Sequence, residues 1–451
     1  MTPGARLNAV LDLLVQVLAG PREAAPAPDV LLETYFRARR YAGSGDRRAV
    51  SDRFYGLLRR QSRLGWWLDR CSIDKNDPLV HARARVLADL VLWDHEHPAA
   101  LADLFSGQGH APEPLTATEA ALAQTLHGQP LTHPQMPPPT ALEYPEWADP
   151  YLRRVWTGRL DTEMQAMNRP APVDLRVNGR RATRAEVQGM LAAEGIASRP
   201  GARAPLALRL DRPRALTGTG AFRQGLMEVQ DEGSQLVSLL VGAAPGMTVV
   251  DFCAGAGGKT LALADAMGLS DDDDENAGRL IACDIDRHRL DRMAPRLKRA
   301  GLSAAVERRP LMTEDDPWIA HHPGLADRVL LDVPCSGLGT WRRDPTARWR
   351  LSADDVAVQM ARQDAILDHA APLVKAGGRL VYVTCSVLAE ENEDRLAAFL
   401  DRRPDFAVVP VADAWPLDGP VPCDDEGLFL RLSPATTDTD GFFAAVLERV
   451  D

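Results

Sequence analysis

Two cysteines and one aspartate stand at the ends of two apolar runs in the second half of the chain. The stretch LLDVPCSGLG carries Asp332 and Cys335 after an apolar segment, and LVYVTCSV places Cys385 after another. Such segments are typical of buried parallel strands, and the carboxyl ends of parallel strands share one edge of their sheet. We therefore expect two thiols and one carboxylate to converge above that edge.

This set of groups suits methylation at carbon 5 of a pyrimidine. That carbon is too weakly nucleophilic to attack a sulfonium methyl group unaided, and a thiolate that adds to carbon 6 makes carbon 5 enamine-like. A carboxyl group at ring nitrogen 3 stabilises the charge that develops, and a second group must help to undo the adduct. Two cysteines and one aspartate supply these functions.

A glycine-rich turn lies between a predicted strand and a predicted helix in VVDFCAGAGGKT. Glycines permit the tight turn, and the free amides at the helix start offer hydrogen bonds to a ligand. A dinucleotide fold requires GxGxxG, whose third glycine is Thr260 here, and a P-loop requires a glycine where Cys253 stands. The third alternative, an S-adenosylmethionine site, expects an acid at the end of the next strand, where RLIACDI provides Asp284.

A sheet must position these residues. Apolar runs alternate with helical patterns over residues 226–451, which predicts a mostly parallel, Rossmann-like α/β sheet of seven strands with helices on both faces. Residues 145–225 combine short strands with a helix capped by Thr183, which predicts a small α/β subdomain. Residues 1–140 show helical spacing, with Asp46 as a predicted helix cap, and end in a proline-rich linker.

Composition and charge limit the class of protein. The chain is 45% hydrophobic and 25% charged, without the run of about 18 apolar residues that spans a membrane. It lacks a basic leader, and its six cysteines form no CxxC pair, which argues against disulfides or structural zinc. We therefore expect a cytoplasmic protein without a metal. The acidic run Asp271–Asn276 is expected to be a solvated loop.

Arginines cluster in two segments although the formal net charge is −11. Residues 31–70 hold ten arginines against four acids, and residues 169–223 hold eleven against four. Each segment could present a basic face to phosphates, or its arginines could simply solvate helix surfaces, and the sequence leaves both interpretations open. Lysine is rare, with four among 52 basic residues, which makes Lys259 in the glycine turn conspicuous.

Four segments resemble the RNA cytosine-5 methyltransferase family, in particular its bacterial 16S ribosomal RNA branch of the Sun/Fmu type: DFCAGAGGKT, DVPCSGLG, VYVTCSVLAEENE and DGFFAAVLER. LRVNGRRATRAEV and VQDEGSQLVSLL extend the resemblance upstream, and the N-terminal helices are similar to the RNA-binding factor NusB. The resemblance implies a Rossmann-like methyltransferase domain preceded by two RNA-binding domains, one RRM- or ferredoxin-like and one NusB-like. It also implies a monomer that acts on RNA, with 16S rRNA as the expected substrate and no membrane partner.

The resemblance further implies roles for individual residues. Cys385 would be the nucleophile, and Cys335 would assist release of the methylated product. Asp332 would contact the cytosine beside the methyl donor, Lys259 would orient that acid or the donor, and Asp284 would hold the ribose. The cofactor S-adenosylmethionine would be lined by the turn residues Cys253, Ala254, Gly255, Ala256, Gly257, Gly258 and Lys259, together with Asp332.

Two departures from the family pattern leave alternatives open. The family's turn usually has alanine and proline where Gly255 and Ala256 stand, and Pro310 occupies the place of an aspartate expected near the adenine. Asp315 or Asp316 could substitute for that aspartate.

Four alternatives to a ribosomal RNA methyltransferase with Cys385 as its nucleophile stay open. They are a catalytically idle RNA-binding ribosome-assembly factor, a tRNA substrate, a P-loop ATPase, and the reverse cysteine roles of the DNA enzymes.

Overall fold

The computed structural model describes residues 1–20, 26–71, 73–272, 278–424 and 426–450. The acidic run that was expected to be a loop lies mostly outside these ranges, which exclude its residues 273–276. The chain forms two compact units, Met1–Asn168 with Trp341–Ala353, and Arg169–Thr340 with Asp354–Asp451. Within the described ranges, no helix has both the length and the apolar character that a membrane crossing requires.

The first unit is helical, as the spacing of its apolar residues predicts. Its core is built from leucines, valines and aromatic residues that recur at helical spacing, such as Val50, Phe54 and Leu57. Its helices are α1 (Pro3–Leu18), α2 (Pro28–Arg37), α3 (Ser44–Arg59), α4 (Gln61–Arg70), α5 (Pro78–Leu92), α6 (Leu101–Leu104), α7 (Ala117–Leu126), α8 (Pro138–Leu142), α9 (Asp149–Val155) and α10 (Leu160–Met167). Helices α9 and α10 belong to this unit, although they lie within residues 145–225, where the sequence predicts the small α/β subdomain.

The prediction that Asp46 caps a helix is wrong. Helix α3 begins two residues earlier, with Gly43 as its N-cap, so Asp46 lies within the first turn. Its two carboxylate oxygens instead accept hydrogen bonds from the Met1 ammonium at 3.0 Å and from Arg6 Nε at 2.8 Å. Both cations come from a distant part of the sequence, which local spacing could not indicate.

Several arginines of residues 31–70 bind acids of the same unit. Arg53 and Arg60 donate to the fully buried carboxylate of Asp89 at 2.9 and 2.7 Å. Arg63 Nε donates to Glu143 Oε1 at 2.9 Å. These pairs neutralise part of the positive charge, so fewer of these arginines could face phosphates than their count indicates.

The segment Trp341–Ala353, with helix α17 (Ala347–Arg350), belongs to the first unit although it follows the strand that carries Asp332. The guanidinium of Arg348 is buried and donates to Glu143 O at 2.5 Å and to Asn168 Oδ1 at 2.6 Å. The predicted limits treat residues 226–451 as one continuous domain. The segment packs in the first unit because a buried guanidinium is stable only where such acceptors lie.

The second unit begins with a small antiparallel sheet of order β2-β3-β1-β4. The capping box predicted at Thr183 is confirmed, because Thr183 Oγ1 accepts from Glu186 N and the Glu186 carboxylate accepts from Thr183 N. The elements of this part are β1 (Asp174–Val177), α11 (Arg184–Ala193), β2 (Ser198–Pro200), β3 (Ala207–Leu210), α12 (Gly220–Arg223) and β4 (Met227–Val229).

A larger, mostly parallel sheet follows in the order β10-β12-β9-β8-β5-β6-β7, with the short β11 paired to β12. The predicted seven-stranded Rossmann-like sheet is confirmed, and the strand order reverses between β5 and β8, where ligands of such sheets bind. The elements are α13 (Glu232–Leu240), β5 (Thr248–Asp251), α14 (Gly258–Ala266), β6 (Arg279–Asp284), α15 (Arg287–Ala300), β7 (Val306–Pro310), α16 (Pro317–Ala320), β8 (Ala326–Asp332), α18 (Ala353–Ala370), β9 (Val374–Thr384), α19 (Glu393–Arg402), β10 (Phe406–Val409), α20 (Val411–Ala414), β11 (Leu430–Leu432) and β12 (Phe442–Arg449).

The central strands are buried on both faces, which explains their continuous apolar sequence. Val249 of β5 packs into one core and Val250 into the other, and Leu330 and Leu331 of β8 alternate in the same way. Because side chains of a strand alternate between faces, two helical layers require apolar residues at every position. The polar residues are therefore left for the strand ends.

Candidate active site

The two cysteines lie side by side at the ends of adjacent strands. Strands β8 and β9 are parallel, with Asp332 opposite Val383, so the segments that follow them leave the same edge of the sheet. Cys335 Sγ and Cys385 Sγ are 3.4 Å apart. Both residues are only partly exposed.

A close backbone contact supports the turn after Cys335. Gly339 N donates to Cys385 O at 2.9 Å, and Gly441 N donates to Gly339 O at 2.8 Å. A Cβ added at Gly339 would lie 2.1 Å from Gly441 O, so no residue but glycine fits there without a backbone shift. Gly339, the last residue of the DVPCSGLG motif, thus holds the turn after Cys335 against the backbone of Cys385.

The surroundings of Cys335 disfavour its thiolate form. The hydrogen bond with Cys385 raises the pKa of Cys335 well above its usual value, and burial and the negative charge of Glu391 add to the rise. Two thiolates in contact would repel each other, so a pair of this kind loses its first proton much more readily than its second. Cys335 is therefore held as a neutral thiol beside Cys385.

Lys259 and Asp332 form an ion pair across the glycine turn. Lys259 Nζ donates to Asp332 Oδ2 at 2.7 Å and lies 5.3 Å from the centroid of the Phe442 ring. Burial lowers the pKa of Lys259, but the nearby Asp332 carboxylate outweighs burial and raises that pKa above its usual value. The lysine is therefore a fixed positive charge beside a carboxylate that is 31% exposed.

The glycine turn wraps around the end of β5 and delivers one amide to Asp284. Gly255 and Gly257 have φ of 54° and 84°, in the left-handed region that favours glycine. Gly255 N donates to Asp284 Oδ2 at 2.8 Å, and Gly258 begins α14. Ala254 and Ala256 complete the turn, in which Ala254 N donates to Cys283 O at 2.8 Å and Ala256 O accepts from Arg296 at 2.7 Å.

Asp284 is the buried acid at the end of β6. Its Oδ1 accepts from Asp286 N at 2.8 Å, and Arg289 Nη1 lies 3.7 Å from its Oδ2. A carboxylate oxygen has two acceptor positions, so each oxygen keeps capacity for a further donor such as a ribose hydroxyl. Cys253, between this acid and Asp332, has a pKa raised well above its usual value by burial and by these negative charges.

One acid of the site was missed by sequence reasoning. Asp251, at the end of β5, is fully buried and accepts from Thr260 Oγ1 at 2.6 Å, while its Oδ1 has no partner in the described part of the chain. Burial raises its pKa from 3.8 to about 7. The signal that singled out Asp284, an acid at the end of a strand, applied equally to Asp251. A carboxyl group that is buried with one oxygen unpartnered is most stable in its neutral form, which agrees with the raised pKa.

Comparison with known proteins identifies the family. Residues 239–448 match the model of the 16S rRNA methyltransferase RsmB/F family, and residues 144–217 match the ferredoxin-like domain of RsmF/B-like methyltransferases. A Synechocystis protein named "Probable ribosomal RNA small subunit methyltransferase B" is 34% identical over 309 residues, which span 68% of this chain and 67% of the relative. The chain belongs to the RsmB/F methyltransferase family. The resemblance predicted from the motifs is thereby confirmed.

Other relatives and solved structures agree with this membership. The small-subunit methyltransferase B of Vibrio cholerae is 33% identical over 68% of this chain and 65% of its own length, so these alignments span about two thirds of the relatives. The crystal structure of PH0851 covers 99% of both chains with a TM-score of 0.75 and 27% identity. A Pyrococcus horikoshii methyltransferase homolog covers 70% of this chain and 100% of its own, with a TM-score of 0.57 and 26% identity. The chain thus has the family and fold of S-adenosylmethionine-dependent methyltransferases.

Pro310 is the second departure from the RsmB/F pattern. It lies opposite Asp284 in the pairing of β6 with β7. Asp316 does not replace the expected aspartate freely, because its two oxygens accept from Met312 N at 2.8 Å and from Trp318 N at 2.9 Å at the start of α16. Asp315 is exposed.

The P-loop alternative fits the RsmB/F site poorly. A P-loop needs its threonine hydroxyl for a magnesium ion and its lysine for phosphates. Here Thr260 donates its hydroxyl to Asp251, and Lys259 is paired with Asp332. Both side chains are thus engaged with acids of the site itself.

Proposed function

We propose that this protein transfers a methyl group from S-adenosylmethionine to carbon 5 of a cytosine in RNA, through a covalent adduct between Cys385 and carbon 6. The observation that carries the proposal is the 3.4 Å separation of the Cys335 and Cys385 sulfurs beside Asp332. We also propose small-subunit ribosomal RNA as the substrate, because the relatives named above are ribosomal RNA small subunit methyltransferases.

Cys385 is the nucleophile in this proposal. Its thiolate adds to carbon 6, and the pair of electrons from the carbon 5–carbon 6 double bond becomes available at carbon 5. When bound, S-adenosylmethionine supplies the electrophilic methyl group that carbon 5 takes. Asp332 contacts the cytosine ring at nitrogen 3, and the fixed cation of Lys259 beside that carboxyl group offsets the negative charge that develops on the ring.

Cys335 resolves the adduct. Its hydrogen bond to Cys385 is the largest cause of its raised pKa, and that bond weakens once Cys385 has become a thioether. Cys335 can then ionise and take the proton from carbon 5. The electrons of that carbon–hydrogen bond re-form the double bond, and the bond from Cys385 to carbon 6 breaks.

The residues proposed to contact S-adenosylmethionine lie at the same edge of the sheet. We propose that Asp284 accepts hydrogen bonds from the ribose hydroxyls, while residues 253–259 line the methionine part. The target cytosine must be single-stranded or turned out of a helix, because a stacked and paired base hides carbon 6 from a thiol. We further propose that the protein acts in the cytoplasm as a monomer.

Bisulfite sequencing tests the function directly. Total RNA from cells with and without this gene is compared, and at least one cytosine of small-subunit ribosomal RNA is expected to lose its protection when the gene is absent. Complementation with the Cys385→Ala variant is expected not to restore it. Unchanged protection at every cytosine would refute the enzyme assignment, and a loss confined to tRNA would replace the substrate.

A further inference from the structure

A serine follows each cysteine of the pair. Ser336 and Ser386 are both buried, and Ser336 Oγ lies 3.2 Å from Ser386 Oγ. The two hydroxyls therefore join the two turns one residue beyond the sulfurs. Ser386 Oγ also accepts from Leu388 N at 3.2 Å, which anchors it to its own turn.

A buried glutamate accepts hydrogen bonds from the turn that carries Ser336. Glu391 is fully buried, and its Oε1 accepts from Ser336 N at 2.8 Å, while its Oε2 accepts from Ser336 Oγ. Gln363 Nε2 donates to the same Oε1 at 3.0 Å and to Pro334 O at 3.0 Å. Residues on both sides of Cys335 are thus fixed by one carboxylate and one amide.

The next residue performs the matching task for Cys385. Asn392 Oδ1 accepts from Thr384 Oγ1 at 2.6 Å, and Asn392 Nδ2 donates to Ser386 O at 3.2 Å. Asn392 thereby holds the residues on both sides of Cys385. Tyr382 OH donates to the backbone oxygen of Glu391 at 2.6 Å and ties this short segment to strand β9.

Burial of the Glu391 carboxylate costs free energy, which its contacts to the Cys335 turn must offset. A carboxylate loses its hydration on burial and is normally balanced by a cation. No cation pairs with Glu391 among the described residues, and its three hydrogen bonds all come from the Cys335 turn and the glutamine that supports it. An apolar residue at this position could fill the space but could not fix the turn.

We propose that Glu391 is a positioning residue that sets the separation of the Cys335 and Cys385 sulfurs by clamping Ser336 against Ser386. Its significance for methyl transfer rests on the function proposed above. Its negative charge also contributes, after the Cys385 hydrogen bond and burial, to the raised pKa of Cys335. The clamp thus also favours the neutral form of Cys335.

An arsenical probe measures the separation of the sulfurs without any methyl transfer. Phenylarsine oxide exchanges its As–O bond for two As–S bonds when two thiols are close, and it releases one water. The full-length wild type is expected to bind it tightly, and Cys385→Ala is expected to lose this bidentate binding. Affinity is measured by competition with a small dithiol, and the bridged peptides are identified by mass spectrometry.

Three variants separate clamping from general stability. Glu391→Ala removes the clamp and is expected to weaken arsenical binding about tenfold or more, because displaced groups lose effective concentration steeply. Glu391→Gln can still accept from Ser336 N and Gln363 and donate to Ser336 Oγ, so it is expected to bind within about threefold of wild type. Glu232→Ala is the matched control, since Glu232 is an equally buried acid that accepts from Arg203 N and Ala204 N.

A second variant covers the case in which Glu391→Ala does not fold. Ser336→Ala removes the hydroxyl contacts to Glu391 and Ser386 but keeps the backbone donor, and it is expected to weaken arsenical binding about threefold. Wild-type affinity in Ser336→Ala and in every folded Glu391 variant would overturn the proposal. A loss of arsenical affinity in Glu232→Ala equal to that in Glu391→Ala would also overturn the proposal.

The kinetics of methyl transfer give a second measurement, which distinguishes positioning of the cysteines from a general contribution of Glu391 to stability. Glu391→Ala is expected to lower kcat about tenfold or more with little change in KM for RNA, and Glu391→Gln is expected to restore most of the rate. If the wild type binds the arsenical but methylates no RNA, the proposed function fails while the clamp stands. If the wild type methylates RNA and Glu391→Ala changes neither readout, the clamp fails.

Discussion

Lys259 Nζ lies 2.7 Å from Asp332 Oδ2, although 73 residues separate them in the chain. The lysine stands at the start of the helix that follows β5, and the aspartate ends β8, the strand beside β5 in the sheet. The ion pair therefore joins the glycine turn to the segment that carries Cys335. We expect the pair to hold the Asp332 carboxyl group where a cytosine ring would meet it.

Replacing Lys259 by methionine tests this arrangement. The change keeps much of the side-chain volume but leaves the Asp332 carboxylate without its cation, so the rate of methyl transfer is expected to fall about 100-fold. The exposed Lys298 provides the control, and Lys298→Met is expected to retain the rate. Equal rates for both variants and the wild type would show that Asp332 needs no cation. Single-turnover methylation of an RNA transcript measures the effect.

The cysteine roles give a prediction with two distinct products. Cys385→Ala is expected to abolish methyl transfer, whereas Cys335→Ala is expected to methylate once and remain covalently attached to RNA. The physical reason is that an adduct without a base at carbon 5 cannot eliminate. A denaturing gel with labelled RNA detects the attached species. Attachment in Cys385→Ala instead would reverse the two roles and match the arrangement of the DNA enzymes.

Asp284 is expected to govern affinity for the methyl donor. Asp284→Ala removes a carboxylate proposed to accept from the ribose hydroxyls, so the donor is expected to bind about 10- to 100-fold more weakly by calorimetry. Asp286→Ala is the control, because Asp286 caps α15 through His288 N and Arg289 N and keeps its own amide for Asp284. If both variants bind the donor equally well, another residue holds the ribose.

Asp251 predicts how stability varies with pH. Because burial raises its pKa from 3.8 to about 7, the folded state holds a proton between these values that the unfolded state has released. The stability that this proton provides is complete below the lower value and is lost as pH rises through the higher one. Relative to Asp251→Asn, the wild type is therefore expected to lose about 2 kcal/mol of unfolding free energy between about pH 5.5 and pH 8.

Denaturant unfolding of the two proteins at several pH values measures this difference. The asparagine keeps a carbonyl oxygen for the Thr260 hydroxyl and removes the titration, so it isolates the contribution of the acid. Parallel stability curves for the two proteins would mean that Asp251 is ionised in the folded state throughout. A difference that grows in favour of the wild type as pH rises would contradict the sign of the shift.

The strand ends were predictable because their signal is local. Apolar runs over 330–331 and 380–383 predict buried strands, and parallel strands bring their carboxyl ends to one edge wherever the rest of the chain lies. The sequence alone therefore determined the α/β fold, the glycine turn, and the expectation that Cys335, Cys385 and Asp332 converge. The family membership was equally readable, because it rests on contiguous motifs.

Only the tertiary structure decided which groups far apart in the sequence are hydrogen-bonded partners. Glu391 lies 55 residues from Ser336, and Arg348 donates to Glu143 across 205 residues, so no spacing rule indicates either contact. Asp46 and Asp251 follow the same principle, since the first binds two cations from a distant part of the sequence and the second owes its raised pKa to burial. Local patterns fix the elements and their ends, whereas burial and polar partners depend on how those elements pack.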